Sequence, residues 1–224
     1  MVETDNFMKF YTEKQKDYFL GQNMQDAWVL FETKYKHDGY FVDFGATDGI
    51  SINNTYLLEK EFRWNGIVAE PNPVWYQDLN KHRECHITNE CVWTKSGDKL
   101  QFLLTEAPDL ATIKGFGTND EHAGKRNTEN IVEVSTISLT DMLKKFNAPF
   151  HIDYLSIDTE GSEYDILYSF FKESFDDYRI DLITIEHNYV PEVREKIYRM
   201  LTMNGYERKF TEISRCDDFY KRIR

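Results

Sequence analysis

The sequence predicts an open α/β fold, a mainly parallel sheet with helices on its faces and an antiparallel hairpin at the C-terminal end. Three observations carry this. Short β-prone runs alternate with stretches whose apolar residues recur at helical spacing, from Tyr40 to Leu201. The last two β-prone runs, 206–211 and 218–223, have no helical pattern between them and read as a hairpin. The first strand, 40–44, runs into Gly45 and Gly49, so it ends in a tight turn before the next element, as ligand-cradling α/β units do.

Composition bounds the rest. The 224 residues, 41% hydrophobic and 15% aromatic, suffice for one packed domain. A net charge of −12 argues against a nucleic-acid surface, which would cluster Lys and Arg. No apolar run reaches the ~20 residues that span a bilayer, and residues 1–10 lack a signal-peptide pattern. Three cysteines, Cys85, Cys91 and Cys216, have no metal-ligand spacing, which fits a reduced, cytoplasmic setting.

In chain order, residues 7–36 read as two helical pieces broken near Gly21, with Trp28, Phe31 and Tyr35 on one face and Lys34, Lys36 and His37 in the last turn. Residues 1–38 form a helical flank or lid on this reading, and 39–224 the ligand-binding domain. Gln22, Gln25 and Asp26 are placed to reach a ligand or to be ordinary surface polar groups. A helix is expected over 51–62 with Ile52, Tyr56 and Leu57 inward, then a strand at 66–70 and a helix at 73–83, capped by Asn72 with Pro73 in its first turn. Residues 85–92 read as one interrupted strand and 100–104 as another. Residues 105–130 are glycine-rich and aperiodic, a substrate-side loop with His122, Lys125 and Arg126 as contacts, or else a flexible insertion. Strands at 131–137, 152–157 and 180–185 alternate with helices marked by Leu139, Met142, Leu143 and Phe146, by Tyr164, Leu167 and Phe170, and by Val193, Ile197, Met200 and Leu201.

The glycine turn reads D-x-G-x-x-x-G, which is neither the dinucleotide fingerprint nor the phosphate loop. From Asp38 to Glu59 there is no Lys or Arg, while Asp43 and Asp48 sit in the turn. An anionic pyrophosphate would meet carboxylates there, whereas a cationic sulfonium suits the site, so the inferred ligand is S-adenosylmethionine. Glu70 ends the second strand, where a carboxylate can accept both ribose hydroxyl protons. The plainer alternative is that Asp43 and Glu70 only cap turns. Two further strand ends deliver Asp158 with Glu160, and Glu186 with His187 and Asn188. Methyl transfer to a hydroxyl needs a base or a metal at the acceptor. His187 is the natural base, its pKa raised by nearby carboxylates, with Asp158 and Glu160 as catalytic partners. Asp158, Glu186 and His187 alternatively offer ligands for Mg²⁺ or Mn²⁺. Glu160 could equally serve the following helix N-terminus.

Taken in order, the motifs Phe41-Val-Asp-Phe-Gly-Ala-Thr-Asp-Gly49, Asn54-Thr55, Trp64-Asn-Gly-Ile-Val-Ala-Glu-Pro-Asn-Pro73, Asp153-Tyr-Leu-Ser-Ile-Asp-Thr-Glu-Gly161 and Ile185-Glu-His-Asn188 resemble the FkbM-type methyltransferases, over most of the chain. The resemblance implies the Rossmann-like, seven-stranded class I methyltransferase fold, S-adenosylmethionine as cofactor, and O-methylation of a sugar, glycan or small metabolite. On it, Asp43, Gly45 and Gly49, with Ala46 and Asn54 of the same motifs, would line the methionine part. Glu70 would hold the ribose, Pro71 and Asn72 would lie beside the adenosine, Glu90 and Cys91 would flank the adenine, and Asp158 would face the reacting methyl. Thr47 and Asp48 stand where many relatives carry Asn and an aliphatic residue. Competing readings are a nucleotide-cofactor oxidoreductase, disfavoured by the missing third glycine, and a non-catalytic cofactor-binding module.

Overall fold

The computed structural model describes residues 2–14, 18–120, 122–126, 130–174 and 176–223. In chain order its strands are β1 (Tyr40–Phe44), β2 (Asn65–Ala69), β3 (His86–Thr88), β4 (Cys91–Trp93), β5 (Lys99–Leu103), β6 (Thr112–Ile113), β7 (Ile131–Ser138), β8 (His151–Ile157), β9 (Arg179–Glu186), β10 (Tyr206–Lys209) and β11 (Asp217–Arg222). The helices are α1 (Val2–Glu13), α2 (Gln25–Thr33), α3 (Tyr56–Phe62), α4 (Pro73–His82), α5 (Leu139–Lys145), α6 (Glu163–Ser174) and α7 (Pro191–Met203).

Seven strands make the main sheet, in the order β3-β2-β1-β8-β9-β11-β10. All neighbours are parallel except those of β11, which runs antiparallel to both β9 and β10. This is the class I methyltransferase-like arrangement. The antiparallel strand is therefore not the edge, as the hairpin reading implied; β11 is inserted inside and β10 is the edge. Strand order reverses between β1 and β8, and the crevice beyond the C-terminal ends of these strands is where open α/β sheets bind ligands.

Side chains alternate across β1. Val42 and Phe44 join the apolar cluster with Leu143 and Ile166, while Phe41 joins the one with Trp28 and Leu58. The N-terminal helices pack on this second face: Phe7 and Trp28 are fully buried, and the Trp28 ring meets Phe219 edge-on at 5.2 Å. A second sheet, β4-β7-β5-β6, is built wholly from residues between β3 and β8 and has its own small core of Cys91, Phe102, Ile113 and Val134.

Several boundaries differ from expectation. The helix predicted over 51–62 begins only at Tyr56 because side chains capture the backbone first. Asp48 Oδ1 accepts the N–H groups of Ile50 (2.9 Å) and Ser51 (2.7 Å), and Asn53 Oδ1 accepts those of Thr55 (3.0 Å) and Tyr56 (2.8 Å). Ile52 accordingly points outward, 48% exposed, at a φ of +47°. The interrupted strand at 85–92 is two strands in two sheets, β3 and β4. Helix α2 stops at Thr33, where Lys34 and Tyr35 turn left-handed, so the basic residues after it lie outside the helix. The 105–130 segment contains β6 and two 3₁₀ turns, 108–110 and 123–125; its residues 121 and 127–129 lie outside those described. Among the described residues no helix is long and apolar enough to cross a membrane.

Candidate active site

Beyond the C-terminal ends of β1, β2, β8 and β9 lies a cavity of about 380 Å³, within the usual size of small-molecule sites. Asp43, Gly45, Asn54, Glu70, Pro71, Cys91, Asp158, Glu160 and Glu186 all line it, together with Gln22 and Asn23 from the segment before α2 and Gln25 at its start.

At one end the carboxylates are held by hydrogen bonds. Gly45 has a φ of +79°, and a Cβ there would fall 2.0 Å from the carbonyl oxygen of Asp158, so only glycine lets β1 and β8 end side by side. Asp43 is buried and accepts the Thr55 hydroxyl at 2.7 Å. Burial pushes its carboxyl up, and the Thr55 bond and the Arg83 charge partly offset this. Arg83, which the sequence reading passed over, donates to Asn53 Oδ1 (3.0 Å), Thr55 Oγ1 (2.9 Å) and Glu59 (2.7 Å), fixing the groups around Asp43. Glu70, 5% exposed, accepts one backbone N–H on each oxygen, from Thr47 (2.9 Å) and Asn72 (2.8 Å). Burial raises its pKa to about 7 despite those bonds. The Asn54 amide nitrogen donates to Ser156 Oγ at 2.9 Å, but its buried Oδ1 has no partner.

At the other end Asp158, Glu160 and Glu186 bring one carboxylate oxygen each within 4.8 Å of one another. Burial, then mutual repulsion, raises Asp158 and Glu186 well above the usual carboxylate range. Glu160 is raised by burial to about 7, with the Arg126 guanidinium pulling the other way. Glu160 sits at a φ of +59°, a left-handed conformation rare for such a residue. Its Oε2 accepts from Arg126 Nη2 and, at 3.1 Å, from Asn188 Nδ2, which also reaches Glu186 Oε2 at 2.8 Å.

Arg126, expected among the substrate-side contacts, does not line the cavity. It is buried, with Nε on the Leu110 carbonyl (3.0 Å) and Nη1 on the Gly117 carbonyl and both Asp120 oxygens (2.7 Å each). One guanidinium thus pins the 105–130 segment to the carboxylate cluster. An arginine in a glycine-rich stretch was the only sequence signal for it.

His187 corrects the expected base. It is 3% exposed, does not line the cavity, and its ring faces Asp218 with Nε2 3.9 Å from that carboxylate. Burial pulls its pKa down to about 4, although Asp218 acts in the opposite direction. The predicted rise does not occur, and Glu160 takes the place expected for His187 beside Asp158 and Glu186. Strand pleating explains this, since the side chain following Glu186 leaves β9 on the other side.

Four expected cofactor residues do not line the cavity. Ala46 is buried in the apolar core, and Gly49 packs against Arg83 and Leu79. Asn72 caps α4 by accepting from Val74 N (3.1 Å) and donates to the Pro108 carbonyl (3.0 Å). Glu90 lines a separate shallow groove and pairs with Lys145. Asp26 is buried too, accepting from the N–H groups of Leu20 and Ala27, with burial raising it to about 6.

Residues 43–210 match the family model of the methyltransferase FkbM domain. The chain belongs to that family. With the fold above, it is an S-adenosylmethionine-dependent methyltransferase by family. No curated protein matches the sequence. Among solved structures, the methyltransferase FkbM from Methylobacillus flagellatus KT matches at 12% identity and a TM-score of 0.49, covering 82% of this chain and 43% of that one. Precorrin-6y C5,15-methyltransferase from Geobacter metallireducens GS-15 matches at 11% and 0.45, covering 87% and 84%. The 23S rRNA methyltransferase ErmE matches at 12% and 0.40, covering 92% and 70%.

Proposed function

We propose that this FkbM-family protein O-methylates a hydroxyl of a sugar, glycan or small metabolite. The observation that carries it is the division of one cavity into a hydrogen-bonded end at Glu70 and a cluster of three carboxyls at Asp158, Glu160 and Glu186. The residues present fit S-adenosylmethionine. Glu70 keeps spare acceptor capacity for ribose hydroxyls after its two backbone bonds. The unpartnered Asn54 Oδ1 is a buried acceptor in want of a donor, and the ligand's ammonium group would satisfy it. When bound, the cofactor supplies an electrophilic methyl group on a cationic sulfur.

The chain's own part is to hold the acceptor hydroxyl and take its proton. Glu160 suits this, since Oε2 is engaged by Arg126 and Asn188 while Oε1 takes no hydrogen bond among the described residues. A carboxyl titrating at about 7 is matched to a base working near neutrality. Asp158 and Glu186, both raised, share protons beside it and keep the cluster from carrying three full charges. A second reading rests on the same 4.8 Å spacing: the three oxygens would hold one Mg²⁺ or Mn²⁺, which would acidify the hydroxyl instead. Loss of activity with EDTA, restored by Mg²⁺, would select the metal. The net charge of −12 supports a small acceptor over nucleic acid.

Calorimetry with S-adenosylhomocysteine tests the cofactor half. Wild type should bind it and not NAD, and Glu70→Ala should weaken binding by about 1.5–3 kcal/mol, the scale of a hydrogen bond to a charged group. Absence of binding to wild type would remove the proposal. Unchanged affinity in the variant would move the ribose elsewhere.

A further inference from the structure

The outer wall of the cavity carries two cations that nothing in the fold uses. Arg215 and Lys125 both line the cavity, both are exposed, and neither takes an ion pair or side-chain hydrogen bond among the described residues. Surface cations are common, but these two line the cavity that holds Glu70 and the carboxylate cluster, in a protein with 39 acidic and 27 basic residues.

Their positions are fixed through the carboxylate cluster. Arg215 immediately precedes Cys216, whose carbonyl accepts the His187 N–H at 2.7 Å, and the next residue, Asp217, pairs in register with Glu186. Lys125 immediately precedes Arg126, which holds Glu160. A third segment brings Tyr189, 51% exposed and lining the same cavity, directly after Asn188, whose amide holds both Glu160 and Glu186. Asn188 and Tyr189 are consecutive non-glycine residues at φ of +47° and +56°. Such strain persists where the surroundings enforce it, typically at ligand sites. Three separate segments, each anchored by a neighbouring residue to the carboxylate cluster or to β9, thus carry two cations and one aromatic ring on the cavity wall.

We infer that the carboxylate end of the cavity is an acceptor subsite for a small hydroxylated ring bearing an anionic group, a carboxylate or a phosphate, with Arg215 and Lys125 taking the anion and Tyr189 covering the ring. The inference rests on the methyltransferase reading and narrows its acceptor. Arginine's fork and lysine's point charge suit either anion. Aromatic rings present flat apolar area to a sugar while keeping the hydroxyl end wet. The one exposed acid on the wall, Asp109, stands on the 3₁₀ turn between the Pro108 carbonyl, bonded by Asn72, and the Leu110 carbonyl, bonded by Arg126. The carboxyls behind the subsite are raised by burial and so carry fewer than three charges near neutrality, which lowers the repulsion an anion meets.

Calorimetry on the full chain saturated with S-adenosylhomocysteine tests this with three probes: glucuronate, glucose 6-phosphate and glucose. At least one anionic sugar should bind about tenfold or more tighter than glucose, equivalent to about 1.4 kcal/mol. Which one binds better identifies the anion. Lys125→Ser combined with Arg215→Ser should erase the preference and leave S-adenosylhomocysteine affinity unchanged, whereas Arg215→Lys should retain part of it. Equal binding of all three, binding of none, or a preference that survives the double substitution overturns the subsite. So does a short single-stranded RNA that binds more tightly than either sugar acid. Failure of S-adenosylhomocysteine itself to bind strikes the methyltransferase reading beneath it, a distinct result in the same titration.

Discussion

Strands β8 and β9 carry a group of acids at each end, and the two groups are opposite in design. At the N-terminal ends, His151, Asp153 and Asp181 cluster within 4.8 Å. Every carboxylate there is matched: Asp153 by Lys36 (2.6 Å) and the Tyr40 N–H (2.9 Å), Asp181 by Arg179 (2.8 Å) and His151 (2.7 Å). Against the pull of burial, those partners hold Asp181 below the ordinary range. At the C-terminal ends, the Arg126 guanidinium pairs with Glu160 and with neither Asp158 nor Glu186, and all three carboxyls are raised. The same pair of strands thus ends in a satisfied ion-pair network on one side and a proton-holding cluster on the other. Proximity of acids is common to both, but at the C-terminal ends burial raises all three carboxyls, Glu160 to about 7.

Removing the poised group gives the largest expected effect. Glu160→Gln should lower methyl transfer by roughly 10²–10⁴, the usual worth of a general base, with S-adenosylhomocysteine affinity changed only a few-fold. In wild type, kcat/KM should rise with pH through about 7 as Glu160 loses its proton, and the variant should lose that limb. A limb that persists in the variant assigns the base elsewhere.

Arg126→Ala strands Glu160 and Asp120 without their counter-charge in a site where the side chains are 4% and 9% exposed for Arg126 and Glu160. Breaking a buried pair of this kind costs about 3–5 kcal/mol, measurable by urea unfolding. A loss below about 1 kcal/mol would show that the pair behaves as a surface one.

The cluster's third member works in the reverse direction. Glu186 has its pKa raised on folding, so the native state binds more protons than the unfolded one between the ordinary and the raised value, and stability falls as pH rises through that window. Glu186→Gln keeps the Asn188 contact and removes the charge. It should stabilise by about 1–3 kcal/mol near pH 8, the cost of an inadequately paired buried group, and by little near pH 4. Equal unfolding midpoints for variant and wild type at the higher pH would contradict the raised pKa.

The smallest effect belongs to the N-terminal group. Asp181→Asn removes the charge from two partly exposed pairings, with Arg179 and His151, and should cost no more than about 1 kcal/mol, with methyl transfer untouched. Loss of activity there would dissolve the contrast between the two ends.

The sequence made some of this legible and some not. Alternation of β-prone and helical runs located the strands, and the crevice rule put Asp43, Glu70, Asp158 and Glu186 at one end of them. Periodicity failed where side chains compete with the backbone, as when Asp48 and Asn53 hold residues 50–56 out of a helix. It could not divide 85–92 between two sheets, because a break of two residues looks the same whether the chain resumes its sheet or leaves it. For His187 composition was the wrong guide: a histidine among acids invites a raised pKa, but the pleat turned it into a buried pocket facing Asp218. The Arg126 clasp joins residues 34 positions apart through an irregular segment, and no local pattern encodes it.

The second sheet, finally, bears on how such a protein could acquire a new acceptor. All four of its strands fall between β3 and β8; Cys91, Phe102, Ile113 and Val134 form a small core of their own, while Val92 and Ile137 join the main one. Its Cys91, Val92, Phe102 and Ile113 nevertheless form part of the cavity wall. A contiguous cassette of sequence therefore shapes one side of the pocket while the strands that carry Asp43, Glu70 and Asp158 lie outside it. Exchange of that cassette in chimeras joined within 89–90 and 146–150 would recut the pocket, provided that Val92, Ile137 and the α5 residues Leu139, Met142 and Leu143, which pack in the main core, are kept.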